Sequence, residues 1–378
     1  MNPAYDVIVL GVGAMGSATC HQLAIRGARV LGLEQFPFVH DRGSSHGETR
    51  IIRQAYFEHP DYVPLLLKTY AHWEQLEQAA NEKLFHKVGL VLSGLADGET
   101  IAGARLSARL HGLPIENLTP GEANRRWPAL SFSPDHDVVF EPAAGYLRVE
   151  ACVQQQINQA IALGAKIRAN ERVVNWSSNG NSVTVRTEHD EFTAGALVVT
   201  AGSWAARVMQ DLGLPLNVIR KFVGWFPARD RKTTRESEIP TYYFELPHGN
   251  FYGFPSIDGF SVKMAEHSGG QPVVDPDNVD REMHPDDITR LAGFLQSHLT
   301  GLDATPTKYA VCLYTLTPDQ HFIVDTHPQW KNVAIAAGFS GHGFKFAPVI
   351  GEAMADLTLN RTTRLPIEFL RLNRFLNR

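Results

Sequence analysis

Three glycines and one acid set the first chemistry available to this sequence. Gly11, Gly13 and Gly16 stand as G-x-G-x-x-G, and Glu34 follows them. In that pattern Gly11 permits a tight turn, Gly13 lets the backbone approach a pyrophosphate, and Gly16 lets a helix pack close to a strand. The helix that would start at Ala14 and Met15 offers unpaired N–H groups and a positive dipole end to phosphate oxygens. Glu34 is placed to accept from an adenosine 2′-OH, and its charge disfavours a 2′-phosphate. Lys263 is a lone charge in the apolar run Phe260 to Ala265. It is either an edge-strand lysine with its ammonium in water or a cation kept inside for a reason. The polar loop Asp41 to Glu48, running into Thr49-Arg50-Ile51-Ile52-Arg53, is a candidate wall for a cofactor site.

The elements needed to position these residues are legible in outline. Asp6 to Leu10 reads as a strand buried on both faces, Ala14 to Arg26 as a helix closed by Gly27, and Ala28 to Leu33 as a second strand that delivers Glu34. Tyr62 to Gln78 carries apolar residues at helical spacing, including Val63, Leu66, Leu67 and Trp73. Phe85 to Ser93 reads as a strand, and helices are expected over Ala104 to Leu110, Pro120 to Trp127 and Glu150 to Leu163. Short strands follow over Ile167 to Val174, Ser182 to Thr187, Glu191 to Ala194 and Ala196 to Thr200. The last feeds Ala201-Gly202-Ser203-Trp204, a turn able to bring a second backbone segment to the cofactor. Further strands are expected over Val218 to Ala228, Thr241 to Leu246, Phe260 to Ala265, Phe322 to Asp325 and Val333 to Ala337, with helices over Ile288 to Leu299 and Ala347 to Leu359. The dinucleotide fold thus opens the chain and is completed near its end, with a β-rich region between.

At 378 residues the chain can bury a large core, and its length suggests more than one domain. A formal charge of -5 with no basic run gives no reason to expect nucleic acid. No apolar stretch approaches a membrane span, and the first strand begins so early that no targeting peptide is expected. Cys20, Cys152 and Cys312 are few, odd in number and far apart, which suits a reducing cytoplasm and contains no C-x-x-C metal or redox motif. No metal is expected. On these grounds NAD and FAD both remain open as the dinucleotide.

Four further blocks together resemble one family, the flavin-dependent amine oxidases of the monomeric sarcosine oxidase and N-methyl-L-tryptophan oxidase group. Gly43-Ser44-Ser45-His46-Gly47-Glu48-Thr49-Arg50-Ile51-Ile52-Arg53 resembles its flavin-covering loop. Phe251-Tyr252-Gly253-Phe254-Pro255 with Val262-Lys263 resembles its substrate strand. Val311-Cys312-Leu313-Tyr314-Thr315 is similar to its flavin attachment segment, and Gly338 to Phe346 to its C-terminal signature. The resemblance covers essentially the whole length. It implies an α/β (α+β overall) chain with a Rossmann-type FAD-binding domain of the glutathione-reductase/D-amino acid oxidase type and a β-rich substrate domain. Residues 1–84, 150–214 and 320–378 would form the first, and residues 85–149 and 215–319 the second.

The resemblance also implies covalent FAD, joined from its 8α-methyl to the sulfur of Cys312. Gly43, Ser44, Thr49, Val173, Gly202, Gly338, Gly341, Gly343, Phe344 and Lys345 are further expected cofactor positions. Lys263 would stabilise the negative charge that develops as electrons pass to O₂. Arg53 and Lys345 match a carboxylate clamp. Tyr252, His267 and Tyr314 match residues on the substrate side, and His46, Thr49 and Arg50 those against the flavin ring. Tyr243 and Gly341 are expected over the substrate. This chain departs from the family in three places. Ser45-His46 keeps one of two adjacent histidines, Gln54 replaces a common histidine, and Tyr243 stands where a Met is expected. These departures bear on substrate size rather than on the reaction.

The reaction implied is oxidation of sarcosine or another small N-methyl amino acid by O₂, giving formaldehyde, the primary amino acid and H₂O₂. The alternatives are a bulkier substrate such as N-methyl-L-tryptophan, a cyclic imino acid such as pipecolate or proline, an NAD-dependent dehydrogenase, or a flavin-binding protein without turnover. A cytoplasmic monomer is expected.

Overall fold

The structure is a computed structural model and describes residues 4–229 and 234–376. The strand Tyr5–Leu10 lies between Val30–Leu33 and Glu191–Val199, all parallel, with Lys166–Arg168 beyond one side and Val333–Ala337 beyond the other. Val7, Ile8 and Val9 are fully buried, as a parallel strand covered on both faces requires. The helices Ala14–Ile25, Val149–Ala162 and Ala347–Leu359 pack together against this sheet. A Cβ on Gly351 would lie 2.6 Å from the carbonyl carbon of Ala18, so the first and last of these helices approach through a glycine. That crossing ties the end of the chain to its beginning.

A second, nine-stranded sheet carries the β-rich region. In it Asn217–Pro227 lies between Ser261–Glu266 and Lys308–Leu316, both antiparallel to it. A small third sheet joins Thr49–Ile52 to Gly145–Arg148 and Phe85–His86. Among the described residues no helix is long and apolar enough to cross a membrane.

Several expected elements change shape for local reasons. The run Phe85 to Ser93 is two strands, Phe85–His86 and Leu90–Gly94, in different sheets. It breaks at Gly89, whose φ of +80° turns the chain where a Cβ would strike the Phe140 ring at 2.4 Å. Ile167 to Val174 likewise divides into Lys166–Arg168 and Val173–Ser178 around Asn170 at φ 55°. Conversely, Glu191–Val199 is one strand that passes through Gly195 without interruption. The helix expected from Ala104 begins at Glu99, because the Glu245 carboxylate accepts from the N–H groups of Glu99 and Thr100. The helix expected from Ile288 begins at Pro285, behind a capping box of His284 and Asp287. On the helix Val63–Ala80, Leu67 faces solvent although its spacing placed it with the core. Among the described residues, the strands that went unread include Thr49–Ile52, Glu116–Leu118, Asp137–Glu141, Gly145–Arg148, Gln271–Pro272 and Lys308–Leu316.

Candidate active site

The glycine turn is shaped by close approach. Gly11 adopts φ +85° with its would-be Cβ 2.7 Å from the Thr200 carbonyl, and a Cβ on Gly16 would fall 1.8 Å from the Gly11 carbonyl. No side chain fits either position. Gly13 caps the helix, and the nearest atom to its would-be Cβ is Ser45 Oγ at 3.4 Å. It therefore leaves room on the side from which a phosphate would come. Glu34 is 5% exposed, accepts from the Val12 N–H at 2.8 Å and from the Phe36 N–H at 3.1 Å, and has His40 Nε2 at 3.4 Å.

A cleft starts at this turn, lined by Gly11, Gly13, Ala14, Met15 and Glu34. It continues past Gly43, Ser44, Val173 and Gly202 to Gly338, Gly343 and Phe344. Glu171 also lines it, and its Oε1 is buried without a hydrogen-bond partner, an acceptor left open for a ligand donor. Crowded glycines, a glycine-capped helix N-terminus, the buried acid Glu34 in the same cleft and an unsatisfied carboxylate oxygen together fit FAD. Gly16, expected among these positions, serves the packing behind them.

A second cleft opens off the first. Arg50, Tyr314, Gly341 and Phe344 line both. The second is closed by Tyr243, Tyr252, His267, Arg53 and Lys345, with Phe57, Glu58 and His342. Lys345, expected toward both cofactor and substrate, lines this one. Arg53 and Lys345 are each 5% exposed. Arg53 Nη2 donates to both oxygens of Glu58 at 2.7 and 2.6 Å, with its guanidinium 3.8 Å from the Phe57 ring centroid. Burial pushes the Glu58 carboxyl up, but Arg53, His342 and Lys345 outweigh it and bring it down to about 2. Lys345 is pushed down to about 7 by burial and the neighbouring Arg53. Its Nζ donates to the His342 carbonyl at 2.6 Å, while Trp73 Nε1 and Thr69 Oγ1 hold its own carbonyl. His342 Nδ1 in turn meets the Tyr56 hydroxyl at 2.5 Å.

His46, Lys263 and Cys312 gather beside Arg50. Cys312 is 1% exposed with its Sγ 3.5 Å from Arg50 Nη2. Burial pushes the thiol up, yet the charges of His46, Arg50 and Lys263 bring it down to about 6. Lys263 is 3% exposed on an interior strand, which excludes the edge-strand reading. Its Nζ donates to the carbonyls of Gly47 and Thr49 at 2.5 and 2.7 Å and to Thr49 Oγ1 at 3.1 Å. Burial and the neighbouring Arg50 hold Lys263 well below the usual lysine range. From the other side Glu150 accepts from the N–H groups of Gly47 and Glu48. One buried lysine and one carboxylate thereby fix the loop that faces the cleft. Cys20 and Cys152 are buried in helices, where burial raises both thiols.

Sequence reasoning passed over Glu58, Phe57, Tyr56, His342, Glu150 and Glu171. An acid closing the apolar segment Ala55-Tyr56-Phe57 was a usable signal for Glu58. The others show their purpose through tertiary partners alone.

The FAD dependent oxidoreductase family matches residues 6–357. Monomeric sarcosine oxidase of Streptomyces avermitilis is 42% identical over 97% of this chain and 97% of its own. That of Bacillus sp. (strain B-0618) is 38% identical over 99% and 97%. N-methyl-L-tryptophan oxidase of Salmonella enteritidis is 33% identical over 98% and 99%. Among solved structures, the open form of NikD, an unusual amino acid oxidase essential for nikkomycin biosynthesis, superposes with a TM-score of 0.86 at 27% identity over 97% of each chain. Glycine oxidase of Geobacillus kaustophilus shares the fold, with a TM-score of 0.80 at 21% identity over 98% of each. FAD is thus the dinucleotide that the glycine fingerprint left open. The chain belongs to the FAD-dependent oxidoreductase family, in its group of monomeric sarcosine and N-methyl-L-tryptophan oxidases, and is a flavin-dependent amine oxidase.

Proposed function

We propose that this enzyme oxidises sarcosine or a similarly small N-methyl amino acid at the N-methyl carbon, consuming O₂ and water and releasing formaldehyde, the primary amino acid and H₂O₂. The observation that carries this reading is the second cleft, which meets the cofactor cleft at Arg50, Tyr314, Gly341 and Phe344 and presents the buried cations Arg53 and Lys345. A carboxylate bound there would place the amine of a short amino acid toward the cofactor.

Bound FAD would supply the redox chemistry, taking a hydride equivalent from the amine and returning two electrons to O₂. The protein orients and biases. Arg53 and Lys345 hold the carboxylate by charge-assisted hydrogen bonds. Arg50, Arg53 and Lys345 together disfavour a substrate ammonium and favour the neutral amine that oxidation needs. His267 is held down to about 3 by burial and the nearby Lys221, so it stays neutral and pairs with the Tyr314 hydroxyl at 3.4 Å. Cys312 would hold the flavin covalently, its thiolate favoured by the surrounding cations. Lys263 would stabilise charge developing on oxygen. The resemblance supports a cofactor domain of residues 1–84, 150–214 and 320–378, and a substrate domain of residues 85–149 and 215–319. Relatives named monomeric support a monomer, and the sparse cysteines support the cytoplasm.

A flat ring is the second reading. Phe57 and Tyr243, with ring centroids 5.1 Å apart, give the cleft an aromatic wall suited to pipecolate, proline or N-methyl-L-tryptophan. Rates on sarcosine, N-methyl-L-tryptophan and pipecolate decide between them, sarcosine being expected fastest. A protein that releases no peroxide from any of these amines would refute both readings. Acid precipitation tests the attachment separately. Yellow colour is expected in the pellet for the wild type and in the supernatant for Cys312→Ser; release from the wild type would remove the covalent link.

A further inference from the structure

Behind the wall of the substrate cleft lies an ammonium that the scheme above leaves unused. Lys221 stands in the strand Asn217–Pro227, is 4% exposed, and faces Cys312 across the register with Lys308–Leu316. Its Nζ donates to three consecutive carbonyls, those of His267, Ser268 and Gly269, at 3.2, 2.6 and 3.1 Å. Three acceptors match the three N–H donors of an ammonium. The turn that supplies them is pinned from its other side. The His267 N–H donates to the Asn250 carbonyl at 2.6 Å, and Ser268 Oγ bridges the Asn250 N–H and Glu266 Oε1. Gly270, at φ +127°, brings the turn so close that a Cβ would lie 2.8 Å from Ile219 and 3.2 Å from Lys221 Cδ.

The same ammonium lies 5.5 Å from the centroid of Tyr314, a ring that also packs against Gly341, where a Cβ would sit 2.3 Å from it. His267 and Tyr314 line the substrate cleft and meet each other at 3.4 Å. Lys221 therefore holds both from outside. Burial pushes this lysine down to about 8, so the site tolerates a charge that the interior disfavours. A hydrophobic side chain of like length would avoid that desolvation cost.

We propose that Lys221 is a positioning residue for amine oxidation: by gripping the His267–Gly269 carbonyls and the face of Tyr314, it fixes the two cleft walls against which the N-methyl amino acid lies. The proposal rests on the amine-oxidase reading above.

The test compares wild-type holoenzyme with Lys221→Met and Lys221→Arg. Acetate, as a minimal carboxylate ligand, is titrated and read by the change in the visible flavin spectrum; turnover of sarcosine and Tm are measured alongside. In Lys221→Met the acetate Kd and the sarcosine KM are expected to rise about tenfold or more, the scale on which a slightly misplaced wall acts. Oxygen reoxidation, which Lys263 serves, is expected to be unchanged, and Lys221→Arg is expected to recover most of the affinity. Wild-type Kd and KM in Lys221→Met overturn the proposal, and so does a lowered Tm with both constants unchanged. If Lys221→Met does not accumulate as holoenzyme, Lys221→Gln replaces it. A KM raised in Lys221→Gln but not in Lys221→Arg supports the proposal, and equal values overturn it. A wild type that answers neither acetate nor any N-methyl amino acid overturns the functional reading and this proposal with it. A wild type that answers while Lys221→Met matches it overturns the proposal alone.

Discussion

The two ends of the ligand cleft are made of different materials. At the nucleotide end glycines pressed against backbone shape the turn, and the residues of that turn, Gly11 to Glu34, lie close in sequence. At the substrate end the surface is side chains from distant segments: Arg53 and Glu58, Tyr243, His267, Tyr314 and Lys345. The first end works by excluding atoms, so it has almost no tolerance. The second works by balancing buried charges, and there each change should have a graded and assignable effect. Repulsive overlap at a glycine rises steeply as the separation shortens. A lost charge among several cations is partly made up by those that stay.

The sharpest way to break this contrast is Gly16→Val. Its Cβ would meet the Gly11 carbonyl at 1.8 Å and Thr200 Oγ1 at 2.8 Å. Either the helix moves off the strand or the turn opens, and both spoil the phosphate site. Loss of bound flavin is expected, with the ratio of visible to protein absorbance near zero and turnover down by more than about 100-fold. A yellow, active Gly16→Val protein would show that the nucleotide end is no stricter than the substrate end.

Next in size is Lys263→Met. Lys263 Nζ faces oxygen acceptors and Arg50 in a dry site, where electrostatic stabilisation of developing charge is strongest. Reoxidation by O₂ is expected to slow by about 100- to 1000-fold, the range seen when one preorganised donor is removed. Reduction by sarcosine should change far less. Stopped-flow measurement of the two half-reactions decides it, and equal slowing would reduce Lys263 to a clamp for the loop at Gly47 and Thr49.

How much of this was legible in sequence follows the same divide. The glycine fingerprint could be read because strand, turn, helix and acid are all local, and Gly11 and Gly16 answer to clashes within a few residues or with one adjacent strand. The strand Lys308–Leu316 that carries Cys312 and Tyr314 was not read as a strand, and Thr49–Ile52 was read as part of a loop wall. Both are defined by pairing with distant partners, Asn217–Pro227 and Gly145–Arg148. Arg53 and Lys345 came from family resemblance, since nothing in their spacing brings them together. The grip of Glu58 on Arg53 and of Lys221 on the turn at His267 depends on a folded interior, where position rather than residue type determines the partner.

Within the substrate end, Arg53→Ala should exceed any single aromatic change. It removes a permanent charge and leaves Glu58 buried without its partner, facing an incoming carboxylate. Charge-assisted hydrogen bonds contribute about 1.5–3 kcal/mol each, which corresponds to a rise of roughly 10- to 100-fold in KM for sarcosine. Glu58→Gln sharpens the comparison, because it frees the guanidinium and is expected to lower KM. If Arg53→Ala leaves KM unchanged, the carboxylate is held elsewhere.

The smallest effect expected is the most diagnostic, because the nucleotide end has no counterpart to it. Lys345 is pushed down to about 7, so it carries charge below that pH and loses it above. Acetate does not titrate between pH 6 and 9. Its Kd should therefore be flat below pH 7 and rise with pH above it, by at most about tenfold per unit for one proton. The rise must level off, since Arg53 keeps its charge throughout. Glu58 at about 2, His342 at about 4 and His267 at about 3 do not titrate in this window. Glu141, raised to about 7 by burial behind Arg53, ionises over the same range and also opposes an anion. Lys221, at about 8, loses its charge a unit later and from behind Tyr314. Lys345→Met separates these contributions. A Kd that becomes both weaker and nearly flat with pH assigns the dependence to Lys345. A dependence that survives intact with its midpoint near 7 assigns it to Glu141, and one shifted toward 8 assigns it to Lys221. In either of those cases the clamp would rest on Arg53 alone, and the charge balance at the substrate end would be set by residues one layer behind the cleft.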